Sequence, residues 1–125
     1  MTDTVFDKII QKKIPAKIVY EDELCIAFDD INPVAKFHIV LIPKNKDGLD
    51  RLLHATDKHA DILGHLLVKA PLIAKKVGFG EEGYRLVIND GQHGGQTVPH
   101  LHLHIIGGQQ LTWPPGTGSP EAKKT

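Results

Sequence analysis

Apolar positions along the chain recur with two periods, and each change of period marks a boundary between elements. Val5, Phe6, Ile9 and Ile10 stand at helical spacing behind Thr4, a capping residue with Asp7 three positions on. The spacing predicts a short helix over Val5–Gln11, ended by Pro15. Strand-like runs follow at Ile18–Tyr20 and Leu24–Phe28 around the charged turn Glu21-Asp22-Glu23, and turn chemistry fills Asp29 to Pro33. His38–Ile42 is β-branched and continuously apolar, which predicts a buried strand closed by Pro43.

The longest periodic segment runs from Thr56 to Val77. Ile62, Leu63, Leu66, Leu67, Ala70, Ile73, Ala74 and Val77 form one apolar stripe, with Thr56 able to cap its start and Gly78 its end. Pro71 inside that stripe predicts a kink or break. Two more strands follow, Tyr84–Asn89 and His100–Ile106, the second in strict alternation. One long and one short helix with five strands predict an α+β fold around a mainly antiparallel five-stranded sheet. The domain extends over residues 1–116, and residues 117–125 form a polar tail.

Composition narrows the function classes. The 125 residues suffice for one core, and fifteen Lys+Arg offset fifteen Asp+Glu to give zero formal net charge. Only Arg51 and Arg85 are arginines, and no basic stripe marks a nucleic-acid or anionic-membrane surface. No apolar run approaches the roughly 20 residues that span a bilayer. The acidic start lacks a signal-peptide pattern, and Cys25 alone cannot form an internal disulfide. These features predict a soluble cytoplasmic protein, with a nuclear setting also open. Cys25 reads as a core thiol.

Histidine changes the picture. There are eight, three of them within five residues. Alternation places His100, His102 and His104 on one face of a strand and Leu101, Leu103 and Ile105 on the other. Three chemistries are open to such a row: plain structural hydrogen bonding, a zinc site completed by His38 or Asp30, or nucleophilic catalysis by an imidazole whose neighbours move protons. The loop Asp90 to Thr97 favours the last. Its glycines let backbone N–H groups converge on an anion, and Asn89 and Thr97 add polar groups beside the histidines. An oxyanion cradle next to a nucleophile suits phosphoryl chemistry. His54, His59, His65 and His93 carry no motif and read as surface or helix residues.

The run His100-Leu101-His102-Leu103-His104-Ile105-Ile106 resembles the signature of the histidine triad (HIT) family. The longer string from Gly94 to Gly116, ending Trp113-Pro114-Pro115-Gly116, is similar to its Hint branch, the histidine triad nucleotide-binding proteins. The similarity reaches back through Phe28 to Pro33, His38, Ile42-Pro43-Lys44 and Phe6 to Ile10. It implies a HIT-like fold that dimerises, and metal-free hydrolysis of the P–N bond of adenosine 5′-monophosphoramidates and related acyl-adenylates through a nucleotidyl-histidine.

Carried over, His102 is the nucleophile, the His100 backbone orients it, His104 serves the phosphate and leaving-group side, and His38 completes a proton relay. Asp30 would accept the ribose hydroxyls, and Ile31, Phe6 and Ile9 would line the purine slot. Asn89, Gly95, Gln96 and Thr97 would hold the α-phosphate, and Trp113 would lie near the leaving-group pocket of a partner subunit. Thr97 stands where many members have Ser, and Asp29 where His is common. Two alternatives stay open: a dinucleoside polyphosphate hydrolase of the fragile-HIT branch, against which the Trp-Pro-Pro-Gly ending speaks, and a purine-nucleotide-binding regulatory module with incidental catalysis.

Overall fold

The computed structural model describes residues 3–116. The tail expected beyond Gly116 lies outside the described residues. The order is α1 (Val5–Ile10), β1 (Ile18–Glu21), β2 (Cys25–Asp29), β3 (Phe37–Pro43), two single 3-10 turns, α2 (Ala60–Val77), β4 (Tyr84–Val87) and β5 (Leu103–Gly107). All neighbouring strands pair antiparallel in the order β1-β2-β3-β5-β4. The expected fold class therefore stands.

Each side of the sheet follows from the parity of its residues. Cys25, Ala27, Ile39, Leu41, Leu101, Leu103 and Ile105 face α2 and pack with Leu66, Ala70, Ile73 and Ala74 into the main core. Ile26, Phe28, Val40 and Ile42 face the other way and meet only Phe6 and Ile9 of the six-residue α1 with a few partly buried neighbours. Thr4 caps α1 as expected: its hydroxyl accepts from Asp7 N, and Asp7 Oδ2 accepts from Thr4 N at 2.8 Å. A helix this short covers part of a sheet face and leaves the rest open.

Several local expectations are corrected. The α-helix proper starts at Ala60, because Thr56 and His59 cap a 3-10 turn in front of it. It runs unbroken through Pro71. The carbonyl that Pro71 cannot bond belongs to Leu67, whose side chain is exposed, so the lost bond falls on the water side. Leu67 thus leaves the expected core stripe and joins Val68 and Leu72 in an exposed apolar row. Gly78 closes the helix at φ 106°, a left-handed conformation suited to glycine. His100 and His102 precede β5 rather than lying in it.

His65 lies on α2 and His59 in the 3-10 turn before it, in keeping with a helical setting, and both rings are engaged. His59 is buried; its Nδ1 accepts from Thr56 N and its Nε2 donates to the Asp47 carbonyl. His65 Nε2 donates to Asp22 Oδ2 at 2.8 Å, tying α2 to the β1–β2 turn. Cys25 is a buried thiol, pushed up to about 12 chiefly by burial and then by the Asp22 charge. No helix among the described residues is long and apolar enough to cross a membrane.

Candidate active site

Register assembles the site on the sparsely covered face. His38 and Val40 of β3 share that face with Phe28, and Val40 pairs His104 of β5. His104 also pairs Val87 of β4. Two residues beyond Phe28 comes Asp30, and two beyond Val87 comes Asn89, both of the same parity. His38 and His104 in the strands, and Asp30 and His102 at their ends, thus come to one patch, toward which register also directs Asn89.

Hydrogen bonds fix the tautomers of the neutral rings. His38 Nδ1 accepts the Val34 N–H at 3.2 Å, so the His38 proton sits on Nε2 and points at His104 Nδ1, 2.8 Å away. His104 Nδ1 is then an acceptor, and its own proton sits on Nε2. His102 runs the other way. Its Nδ1 donates to the His100 carbonyl at 2.7 Å, which leaves an unprotonated Nε2. Two rings with centroids 5.0 Å apart therefore carry a lone pair on one Nε2 and a proton on the other. Such a pair has one nitrogen able to attack and one N–H able to donate.

Burial holds these rings neutral. His102 is 4% exposed, and desolvation lowers its pKa below the ordinary 6.5, only partly countered by the His100 carbonyl and the Asp30 charge. His104 is pushed down to about 4, by burial first and then by repulsion from His102 and His38. His100 is fully buried, and its ring Nε2 donates to the Pro43 carbonyl at 2.9 Å, pinning the backbone that orients His102. Its Nδ1 faces Asp7 Oδ1 at 3.7 Å without a hydrogen bond. Desolvation lowers the His100 pKa too.

The expected nucleotide contacts divide. Phe6 stands edge-on to His102 at 5.0 Å, and Ile9 is buried beside it in the same cluster. Ile31 is an apolar side chain 90% exposed. Asp30 Oδ1 accepts from Asn32 N at 2.8 Å, and Oδ2 lies 3.5 Å from His38 Nε2, so the turn that presents the carboxylate also aims it.

In the Gly-rich loop, Gln96 departs from the expected role. Its Nε2 donates to the carbonyls of Asp50 and Val98, its Oε1 accepts from Gly91 N, and its own N–H goes to Gly91 O. It braces the loop. Asn89 Nδ2 gives one hydrogen to Gly94 O, and Gly95 N–H goes to Gln92 O. Thr97 retains an exposed side chain whose hydroxyl has no partner among the described residues. Trp113 is 82% exposed, on an arm anchored where Arg85 Nη2 donates to Thr112 O.

The chain matches the HIT domain over residues 11–111. A 14 kDa zinc-binding protein of Zea mays is 57% identical over 113 residues, covering 90% of this chain and 88% of that one. Adenylylsulfatase HINT1 of Arabidopsis thaliana is 55% identical over 113 residues, 90% of this chain and 76% of that one. A crystal structure of a HIT family hydrolase from Legionella pneumophila superposes with a TM-score of 0.87 at 43% identity, covering 91% of this chain and all of that one. A domain match spanning most of the chain, with the triad at its far end, places this protein in the HIT family. Its particular branch is Hint.

The zinc in a relative's name calls for a test of fit. Asp30, His38 and His104 bring ligand atoms within 4.8 Å of one another. Yet His38 Nε2 and His104 Nδ1 face each other across a 2.8 Å hydrogen bond, one donating and one accepting, so the two do not offer lone pairs to one ion. Asp22, Cys25 and His65 form a second such group. There the carboxylate already accepts from Tyr20 OH, Leu24 N, Cys25 N and His65 Nε2. Neither arrangement fits zinc as it stands.

Sequence reasoning missed Val34, whose N–H sets the relay's direction, and the bracing pairs Gln96–Gly91 and Arg51–Asp90. Backbone donors leave no mark in side-chain identity. The arginine was visible as one of only two, but its partner is 39 residues away.

Proposed function

We propose that this protein hydrolyses adenosine 5′-monophosphoramidates and related acyl-adenylates, within the broader nucleotide hydrolysis of its family. The observation that carries the reading is the opposed pair of tautomers, an unprotonated His102 Nε2 beside a protonated His104 Nε2. His102 Nε2 attacks the α-phosphorus and the P–N bond breaks, leaving AMP joined to His102. An amine is a poor leaving group unless protonated, and His104 supplies that proton, replenished from His38 across their hydrogen bond. Water then attacks the same phosphorus, giving its proton to the relay, and AMP departs from a restored His102.

Purine lies against Phe6, Ile9 and Ile31 in this reading, and the ribose diol donates to Asp30. The Thr97 hydroxyl and the second hydrogen of Asn89 Nδ2 take the phosphate oxygens, where charge develops. The name adenylylsulfatase, borne by the Arabidopsis relative, supports a nucleotidyl-transfer step with a varied leaving group. The test is turnover on adenosine 5′-phosphoramidate against a diadenosine polyphosphate at equal concentration. Preference for the phosphoramidate supports the reading; preference for the polyphosphate transfers it to the fragile-HIT branch.

The protein acts as a homodimer in this proposal. Among the described residues, β4 is a sheet edge, Leu67, Val68 and Leu72 form an exposed apolar row on α2, and Trp113 is exposed outside both core clusters. The arm bearing Trp113 then reaches the partner's leaving-group side. Sedimentation at micromolar concentration tests it, with a monomer as the contrary result.

A further inference from the structure

A cavity of about 450 Å³ lies beside the Gly-rich loop, walled in part by Arg51, Gly91, Gln92, Gly95 and Thr97. Resting on the phosphoramidase reading, we propose that this cavity receives the leaving group, and that Arg51 selects there for amines carrying a carboxylate. Thr97 is common to this wall and to the proposed phosphate contacts, whereas Phe6, Ile9, Ile31 and Asp30, which would hold adenosine, take no part in it. A substituent that leaves the phosphorus away from the nucleoside therefore has this space to enter.

The hydrogen-bonding capacity left over in the cavity identifies what suits it. Arg51 Nε donates to Asp90 Oδ1 at 2.9 Å, and the same oxygen accepts from Leu53 N. That pair fixes the guanidinium, while its two Nη groups donate to nothing among the described residues. Asp50, the acid of the wall, is paired with His54, and the Gln96 amide is spent on the loop. What remains is the four Nη hydrogens, the Gln92 amide, the Thr97 hydroxyl and, as the one carboxylate oxygen not paired with His54, Asp50 Oδ2. Donors outnumber acceptors, and the fork of a guanidinium matches the two oxygens of a carboxylate.

Gly91 makes room for this arrangement. At φ 73° it lies so close beneath the guanidinium that a Cβ there would stand 2.5 Å from Nη2. Any other residue at position 91 would push Arg51 off the loop. With the arginine side chain about one-third exposed, the fork is held in place and remains reachable.

A matched pair of substrates tests the proposal: the adenosine 5′-phosphoramidate of β-alanine and that of its methyl ester, which differ in one charge. The readout is the ratio of their kcat/KM values, so a general loss through loop damage cancels. The unaltered protein should favour the carboxylate by about tenfold, the scale of a charge-assisted hydrogen bond. Arg51→Gln should bring the ratio close to one, and Arg51→Lys, which keeps the charge without the fork, should leave it between the two. An unaltered protein that turns over both equally, or a ratio that survives Arg51→Gln, overturns the role of Arg51 and leaves the phosphoramidase reading standing. Failure to hydrolyse either substrate overturns both.

Discussion

The two faces of the sheet are made from the same strands and do opposite work. Toward α2, every inward position from Cys25 to Ile105 is apolar and close-packed, with an 18-residue helix laid over it. Toward α1, the cover is six residues long, and the strands present histidines, a carboxylate and an amide beside a small apolar cluster. Alternation in β5 and the residues before it separates the two at each step: Leu101 from His102, Leu103 from His104. Buried polar rings cost stability unless hydrogen-bonded, and this face meets that cost with main-chain partners from Pro43, His100 and Val34. One face holds the fold, and the rigidity it supplies is what fixes the tautomers on the other.

Adjacent substitutions sharpen that contrast most strongly. His102→Ala should lower turnover by roughly four or more orders of magnitude, since nothing else carries the nucleophile, while AMP affinity stays within about tenfold. Leu103→Ala, one residue on, should cost about 2–5 kcal/mol of stability by opening a cavity in the α2-side core. Its residual folded protein should keep most of its kcat. Activity assays and urea titrations of the pair decide it; a stable but inactive Leu103→Ala would merge the two faces into one.

As pH falls, acid should act first through the histidine face, before the hydrogen-bonded carboxylates such as Asp22 begin to protonate. The unfolded chain binds a proton at His104 near the ordinary 6.5, the folded one only near 4. Between those values the unfolded state holds more protons, so stability falls as pH drops from about 6.5 toward 4. His100 and His102, lowered in the same direction, add to the slope. Urea midpoints across that window should decline, and His104→Asn should flatten the decline. A smaller effect follows at Asp30. Asp30→Asn presents an amide donor to ribose hydroxyls that need acceptors, and should erase most of the preference for AMP over 2′-deoxy-AMP in calorimetry. The smallest expected effect is none: with the relay hydrogen-bonded rather than metal-bound, chelation with EDTA should leave the rate unchanged.

Much of this was legible in the chain because the two faces are written with the two periods. Leu101-His102-Leu103-His104-Ile105 announces both the core and the chemistry, and the stripe of α2 announces its partner. Less legible was whatever depends on distant backbone. The Val34 N–H that sets the direction of the relay, and the carbonyls that capture Gln96 and His59, belong to no residue type and so leave no pattern. Pro71 misled for a related reason: the carbonyl it leaves unbonded lies on the water side of α2, and the exposure of Leu67 is a tertiary fact. The orienting role of the His100 backbone was legible from the resemblance; that its ring is fully buried and bonded to the Pro43 carbonyl was not.

The central claim, that an unprotonated His102 Nε2 attacks phosphorus, is tested most directly by trapping the covalent intermediate. Protein mixed with an adenosine 5′-phosphoramidate and quenched within one turnover should gain the mass of one adenylyl group, and peptide mapping should place it on His102. The group should turn over in water and be absent from His102→Ala. A label on His104 or His38, or turnover with no covalent adduct at any quench time, would contradict it.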